Sequence, residues 1–281
     1  MARETAVRAV RDFIYIKAHK ALFEMRRLGL VARAMPHFIV IGAQKSGTSS
    51  MFSYLKQHPQ IIRPIFKEPY FFDRHYHRGL GWYGCNFPRC RTLSRLDERL
   101  GRPHMTFEAT ATYVFDAEVP KRIARDLKTR KFILLLRDPT DRAISAYWHA
   151  RRQGIEARSL AEAVDADLHH STAGAASESP APRLTYLRRG IYHEAVSRWQ
   201  SVFSPKDLLV LQSETLFADP AKIMTQVFQF LNLPEPSRID FEPQNVGGYQ
   251  ERDIEIRRLL RDFYRPHTEK LNSLTGNEFS W

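Results

Sequence analysis

HFIVIGAQKSGTSS, residues 37–50, is the stretch on which the fold turns. Phe38 to Ala43 carries no polar side chain, as expected of a parallel strand buried on both faces. The glycines Gly42 and Gly47 then mark a tight turn, and a helix is expected from about Thr48 to Gln57. A strand, a glycine turn and a helix N-terminus direct backbone N–H groups and the helix dipole at one point, which makes an anion site. The nearest familiar pattern is the nucleotide P-loop, GxxxxGK[ST]. This turn departs from it: Ala-Gln-Lys-Ser-Gly-Thr follows Gly42, so the turn is shorter and Lys45 stands before Gly47.

Outward from this turn, strand and helix patterns alternate. MTFEAT (105–110), KFILLLR (131–137) and LLVLQSE (208–214) read as further strands. Helices are expected over about 118–128, after Asp138 with Pro139 in the first turn, and through ADPAKIMTQVFQFLNL with Asp219 as N-cap. Such alternation predicts an α/β, P-loop-like three-layer fold, a central parallel sheet flanked by helices. Residues 4–33 repeat apolar positions at helical spacing among Arg and Lys, and 171–183 reads as a surface loop. The chain therefore divides into a basic amphipathic arm, 1–35, and one α/β domain, 36–281.

The 281 residues carry 43 Lys and Arg against 31 Asp and Glu, a formal net charge of +12. That excess suits an anionic partner. The basic residues are spread along the chain without the interleaved aromatics of a nucleic-acid surface, so a small-molecule or glycan partner is favoured over nucleic acid. The arm alone is dense enough in charge to suit peripheral contact with an anionic membrane. No apolar run is long enough to span a bilayer, the N-terminus lacks an apolar signal region, and Cys85 and Cys90 read as reduced thiols, so a cytoplasmic location is expected. Two cysteines with no third nearby do not make a zinc site.

A second anion site is expected where KFILLL ends in Arg137-Asp138-Pro139, with Ser145 eight residues on. A phosphate-hydrolysing enzyme would place a magnesium-binding carboxylate at such a strand end. Arginine offers a fork for another anion instead, although Asp138 leaves a metal reading open. Two anion sites without a metal fit an adenosine charged at both its 5′ and 3′ positions. GAQKSGTSS followed by RDPTDRAISAY resembles the two phosphate-binding motifs of the sulfotransferase family, which uses 3′-phosphoadenosine 5′-phosphosulfate (PAPS). HPQI, KEPYFFD, GLGWY, FEATATYVF and EVPKRI follow the order of its heparan-sulfate-type N- and 3-O-sulfotransferase branch, and RGIYHEAVSRW, ETLFADP and the terminal FYRPHTEKLNSLTGNEFSW are similar to the ends of bacterial members. The resemblance covers roughly residues 36–281 and implies sulfuryl transfer to a hydroxyl or amine of a carbohydrate or glycolipid. A nucleotide kinase or NTPase with an altered P-loop is the alternative.

Sulfuryl transfer needs a cation at the bridging oxygen, dipoles around the nucleotide phosphate and a base for the acceptor proton. Lys45 supplies the cation, and Ser46, Gly47, Thr48, Ser49 and Ser50 the cradle. The resemblance gives Glu68 the base role and Arg137 and Ser145 the 3′-phosphate. Composition alone leaves Glu108 as an alternative base. Glu68 precedes Pro69, which predicts extended backbone, and it has Phe66, Phe71 and Phe72 as neighbours, which predicts partial desolvation. A pairing of Glu68 with Lys67 or Arg63 is the plainer expectation. His149, one helical turn beyond Ser145, matches a histidine near the acceptor. Tyr192 is expected to line the nucleotide pocket, Gly248 in NVGGY to offer backbone N–H groups, and Tyr70, Trp82 and Tyr83 to stack on an acceptor. Two features depart from the glycan-acting branch: Ala109 stands where many members have lysine, and no cysteine follows Cys90.

Overall fold

A computed structural model describes residues 17–27, 31–172, 185–242 and 254–281. Five parallel strands, β1 (Phe38–Gly42), β2 (Ile61–Ile62), β3 (Met105–Ala109), β4 (Phe132–Leu136) and β5 (Leu208–Gln212), lie in the order β2-β3-β1-β4-β5. Every residue of β1 and β4 is fully buried, and the pleat divides them between two cores. Ile39, Ile41, Phe132, Leu134 and Leu136 face one helical layer; Phe38, Val40, Ile133 and Leu135 face the other. Burying one such side chain contributes roughly 2 kcal/mol, so the paired faces fix both register and layering.

Besides the arm helix at 17–27, the described residues form ten α-helices in chain order: α1 (Thr48–Leu55), α2 (Gly79–Gly84), α3 (Cys90–Leu100), α4 (Val119–Asp126), α5 (Pro139–Arg152), α6 (Leu160–Thr172), α7 (Tyr192–Gln200), α8 (Ser213–Ala218), α9 (Pro220–Leu231) and α10 (Ile254–Thr275). Residues of α4, α7 and α10 fill the first core, and those of α1, α8 and α9 fill the second. The three-layer architecture expected from the alternating pattern is present. Asp219 caps α9 as expected, its carboxylate accepting from the Lys222 amide at 3.1 Å.

Four details differ from the sequence reading. Strand β2 has only two residues, too few to show a period of two. The LLVLQSE strand stops at Gln212, because Ser213 and Glu214 open α8. The arm is helical over 17–27, but Arg33 is extended, in an antiparallel bridge with Arg89, so that helix does not reach 33. Ser171 and Thr172 belong to α6, while the remainder of the expected 171–183 loop lies outside the described residues.

Sheet order sets the location of the site. From β1 the chain moves to β2 and back to β3 on one side, then to β4 on the other. The crevice beyond the C-terminal end of β1 is therefore a topological switch point, where open α/β sheets bind ligands.

Candidate active site

The turn leaving β1 sits at this crevice. Gly42 is required by close approach: a Cβ there would lie 2.6 Å from Val114 Cγ1. Gly47 is required by conformation, with φ +87°, and a Cβ would lie 3.0 Å from Leu216. It is the N-cap of α1, where no side chain caps the first-turn N–H groups. Ser46 is fully buried, and its Oγ has no hydrogen-bond partner among the described residues. An uncapped helix N-terminus beside an unsatisfied buried hydroxyl fits an anionic ligand at this turn. Ser50 does not belong to the cradle as expected: it is fully buried and hydrogen-bonds Tyr54 on the core side.

Strained backbone gathers at the same place. Four non-glycine residues among those described have positive φ, and three surround the site: Lys45 (+73°), Glu68 (+58°) and Tyr70 (+50°). Such conformations cost on the order of 1 kcal/mol each and persist where surrounding structure imposes them. The extended backbone expected for Glu68 is thus corrected. Its amide donates to the Ala109 carbonyl at 2.9 Å, which ties the Glu68 loop to the end of β3.

The Glu68 carboxylate is partly exposed and held from both sides. Lys67 Nζ donates to Oε1 at 3.1 Å, and Tyr70 Oη donates to Oε2 at 2.6 Å. The pairing with Lys67 expected as the plainer reading does occur. It also joins Glu68 to the turn, because the same ammonium donates to Ser49 Oγ at 3.0 Å. Tyr70 is therefore a partner of the carboxylate, its hydroxyl pushed up in pKa by burial and by Glu68. Trp82 is half-buried among aromatic neighbours, and Tyr83 is fully buried, so Tyr83 does not stack on an acceptor.

The aromatic enclosure expected around Glu68 encloses Glu108 instead. Glu108 is fully buried on β3, accepting from Thr110 Oγ1 at 2.6 Å and from the Tyr83 hydroxyl. Phe71 and Phe72 pack with Tyr83, and their amides donate to Tyr113 Oη at 3.0 and 3.2 Å. Burial pushes Glu108 up to about 7, against hydrogen bonds from Thr110, Tyr83 and Tyr113 that lower it.

His149 on α5 is half-buried. Its pKa lies below the usual imidazole value, first because of burial, then because of the charges of Lys45 and Arg152, with Glu68 opposing. Lys45 and Glu68, from two separate segments, thus both act electrostatically on His149.

At the end of β4, Arg137 is only partly buried. Its guanidinium lies 3.4 Å from Asp141, and Arg257 of α10 approaches the other Asp141 oxygen at 2.6 Å. Two guanidinium groups on one carboxylate leave a net positive charge beside Ser145, which is buried on the same helix. Asp138 caps α5, its Oδ1 accepting from the Thr140 and Asp141 amides at 2.8 and 3.3 Å. Tyr192 lies in the core at 2% exposure. It donates to the Arg137 carbonyl at 2.9 Å and fixes that strand end from behind. Gly248 lies outside the described residues.

Sequence reasoning missed Arg189 and Arg257. Arg189 donates to Gln44 in the turn at 2.7 Å, and burial together with the Arg142 charge lowers it to about 10. Only tertiary packing reveals it, since Gln44 and Arg189 are far apart in the chain.

Residues 35–243 match the sulfotransferase domain family. The chain belongs to the sulfotransferase family. The chain is 30% identical over 277 residues to heparan sulfate glucosamine 3-O-sulfotransferase 3B1 of Mus musculus, with 90% of this chain and 66% of that protein covered. It is 30% identical over 292 residues to the bifunctional heparan sulfate N-deacetylase/N-sulfotransferase 4 of Mus musculus, covering 92% of this chain and 31% of that one. This sulfotransferase therefore spans just under two thirds of the first of these relatives and under a third of the second. A sulfotransferase from Alicyclobacillus acidocaldarius has the same fold, with a TM-score of 0.68 and 26% identity over 88% of this chain and 98% of that one. The kinase alternative is not favoured by these matches.

Proposed function

We propose that the protein transfers a sulfuryl group from PAPS to a hydroxyl or amine of a carbohydrate acceptor. The observation that carries this reading is the match of residues 35–243 to the sulfotransferase domain; the electrostatic reach of Lys45 and Glu68 to His149 supports the roles given to them. The α1 N-terminus with Ser46, Gly47, Thr48 and Ser49 would hold the 5′ end of the donor. Arg137, with Arg257 and Ser145, would hold the 3′-phosphate. The acceptor oxygen or nitrogen attacks sulfur as its proton passes to the Glu68 carboxylate. The bond from sulfur to the bridging oxygen breaks, and its electron pair leaves with the adenosine bisphosphate. Lys45 stabilises the negative charge growing on that oxygen, a role worth several kcal/mol for a preorganised cation. Lys67 and Tyr70 hold the carboxylate in place. His149, with its lowered pKa, is an acceptor at neutral pH and orients the attacking group.

The relatives named above act on heparan sulfate by their names, and a carbohydrate acceptor is carried to this chain from them. Ala109, where many glycan-acting members have lysine, is 1% exposed and packs in the core beside α1. A charge at that position is therefore not part of the acceptor surface here. Calorimetry with 3′,5′-adenosine bisphosphate, and separately with ATP and magnesium, tests the donor assignment. Tight, metal-independent binding of the bisphosphate with weak binding of ATP is expected. The reverse preference would return the kinase alternative.

A further inference from the structure

The arm helix (17–27) packs on the domain through Phe23, which is 6% exposed and lies against Phe66 and Trp82 with ring centroids 5.7 and 5.4 Å away. Between the arm and α2 lies a cavity of about 640 Å³ that shares no residue with the donor turn. Its lining combines the apolar Val31, Met35, Leu80 and Trp82 with the basic Arg26, Arg27, Arg33 and Arg78. Arg26 is anchored to backbone, donating to the carbonyls of Cys85 and Phe87 at 3.2 and 2.9 Å. Arg78 lies over the Trp82 ring at 5.1 Å. Arg27 pairs with exposed Glu24 at 2.7 Å, but among the described residues no carboxylate pairs with Arg26, Arg33, Arg78 or the adjacent Arg89. Among the described residues, the buried Arg33 Nε has no hydrogen-bond partner.

Guanidinium groups gathered this closely repel one another. Burial lowers the pKa of both Arg26 and Arg33; Arg33 and Arg89 lower Arg26 further, and Arg89 lowers Arg33. An anion in the cavity would relieve that repulsion and meet the unsatisfied Nε. The surroundings say what bears the anion. Leu22 and Met25, three residues apart on the outer face of the arm helix, are 38% and 63% exposed, and Val31 at the cavity is 39% exposed. Exposed apolar side chains beside an unneutralised arginine cavity match the boundary between headgroup and acyl chain in an anionic bilayer.

We propose that this cavity seats the phosphate headgroup of an anionic phospholipid, with Leu22, Met25 and Val31 entering the adjoining acyl region. The assignment rests on the cavity and its charge, independently of the sulfuryl-transfer reading. It places the arm at a membrane surface by a defined pocket, not by the net charge of the chain.

The full chain should be co-sedimented with phosphatidylcholine vesicles with and without added phosphatidylglycerol. Binding is expected only with phosphatidylglycerol. The variant pair Arg33→Gln with Arg78→Gln should weaken it about 25-fold, roughly fivefold for each arginine at an anionic surface. A charge-matched pair far from the arm, Lys206→Gln with Arg238→Gln, should bind like the parent. Arg78 is exposed, so Arg78→Gln alone keeps the fold and carries its own fivefold expectation, and Met25→Ser should weaken binding as well. Equal losses in the two charge pairs would reduce the effect to bulk charge and overturn the proposal. So would binding that ignores phosphatidylglycerol, or binding to a soluble polyanion alone through the same arginines. Loss of bisphosphate binding with vesicle binding intact would break the functional reading and leave this one standing.

Discussion

Glu68 and Glu108 are nearly neighbours, since the Glu68 amide donates to the carbonyl of Ala109, the residue after Glu108. Their environments are nonetheless opposed. Glu68 lies on a strained loop, partly exposed, with Lys67 and Tyr70 on its two oxygens. Glu108 lies on a central strand, fully buried, with only hydroxyl donors against it. A charge partner and access to the crevice suit the first to accept a proton from a substrate. Burial among aromatic rings suits the second to hold the structure beneath. A carboxylate's role here follows from its neighbours in space, and the Phe71–Phe72 pair adjoining Glu68 in sequence serves Glu108.

Glu68→Gln tests that division most severely. Removing the base should lower turnover by about 100- to 10,000-fold while 3′,5′-adenosine bisphosphate still binds, since this carboxylate acts on the acceptor. Steady-state kinetics with calorimetry on the same sample measure both. A loss of turnover as large in Glu108→Gln, with its fold intact, would exchange the two roles.

Glu108→Gln should instead change how stability depends on pH. The folded-state value of about 7 lies above the ordinary 4.5, so between these the native protein binds more protons than the unfolded chain. Stability from this group is fully present below about pH 4.5 and is lost as pH rises through 7, by about 3 kcal/mol in total. Glutamine cannot ionise, so urea unfolding at a series of pH values should show that decline flattened. It should also show a constant loss, because one amide oxygen cannot replace two carboxylate oxygens as acceptors for Thr110 and Tyr83. An unchanged slope would mean that Glu108 keeps its charge state across the range.

The same contrast marks what the sequence makes legible. Buried strands announce themselves by continuous apolar runs, so β1 and β4 and the layers around them are readable, as is the glycine turn with Lys45. Capping is local, and Asp219 is readable for that reason. Strand β2 is too short to carry a period. Arg189 beside Gln44 and Arg257 beside Asp141 join distant segments, and no local pattern encodes such a meeting. Backbone strain at Glu68 is hidden for another cause: the preference of a residue before proline for extended backbone is overridden by the tie to Ala109 and the partners of its side chain.

Tyr70→Phe sharpens the comparison from the Glu68 side. The ring keeps its place under Arg74, whose guanidinium lies 4.4 Å from the ring centroid, and only the hydroxyl is lost. A positioning role predicts kcat reduced about tenfold, in line with one hydrogen bond to a charged group, with the KM for PAPS unchanged. If the KM for PAPS rose while kcat held, Tyr70 would belong to donor binding.

The smallest expected effect concerns the imidazole that feels Lys45 and Glu68 together. Neutral His149 is favoured by burial and by the cations Lys45 and Arg152, so its protonation should begin below pH 6.5 and set an acid limit on kcat/KM there. Arg152→Gln removes one of those cations without touching Lys45 or Glu68. It should move the acid limit upward by a fraction of a pH unit, as expected of a half-exposed site with solvent screening. NMR titration of the His149 ring should show the same displacement. If the ring moves and the kinetic limit stays, the acid limit belongs to a group other than His149.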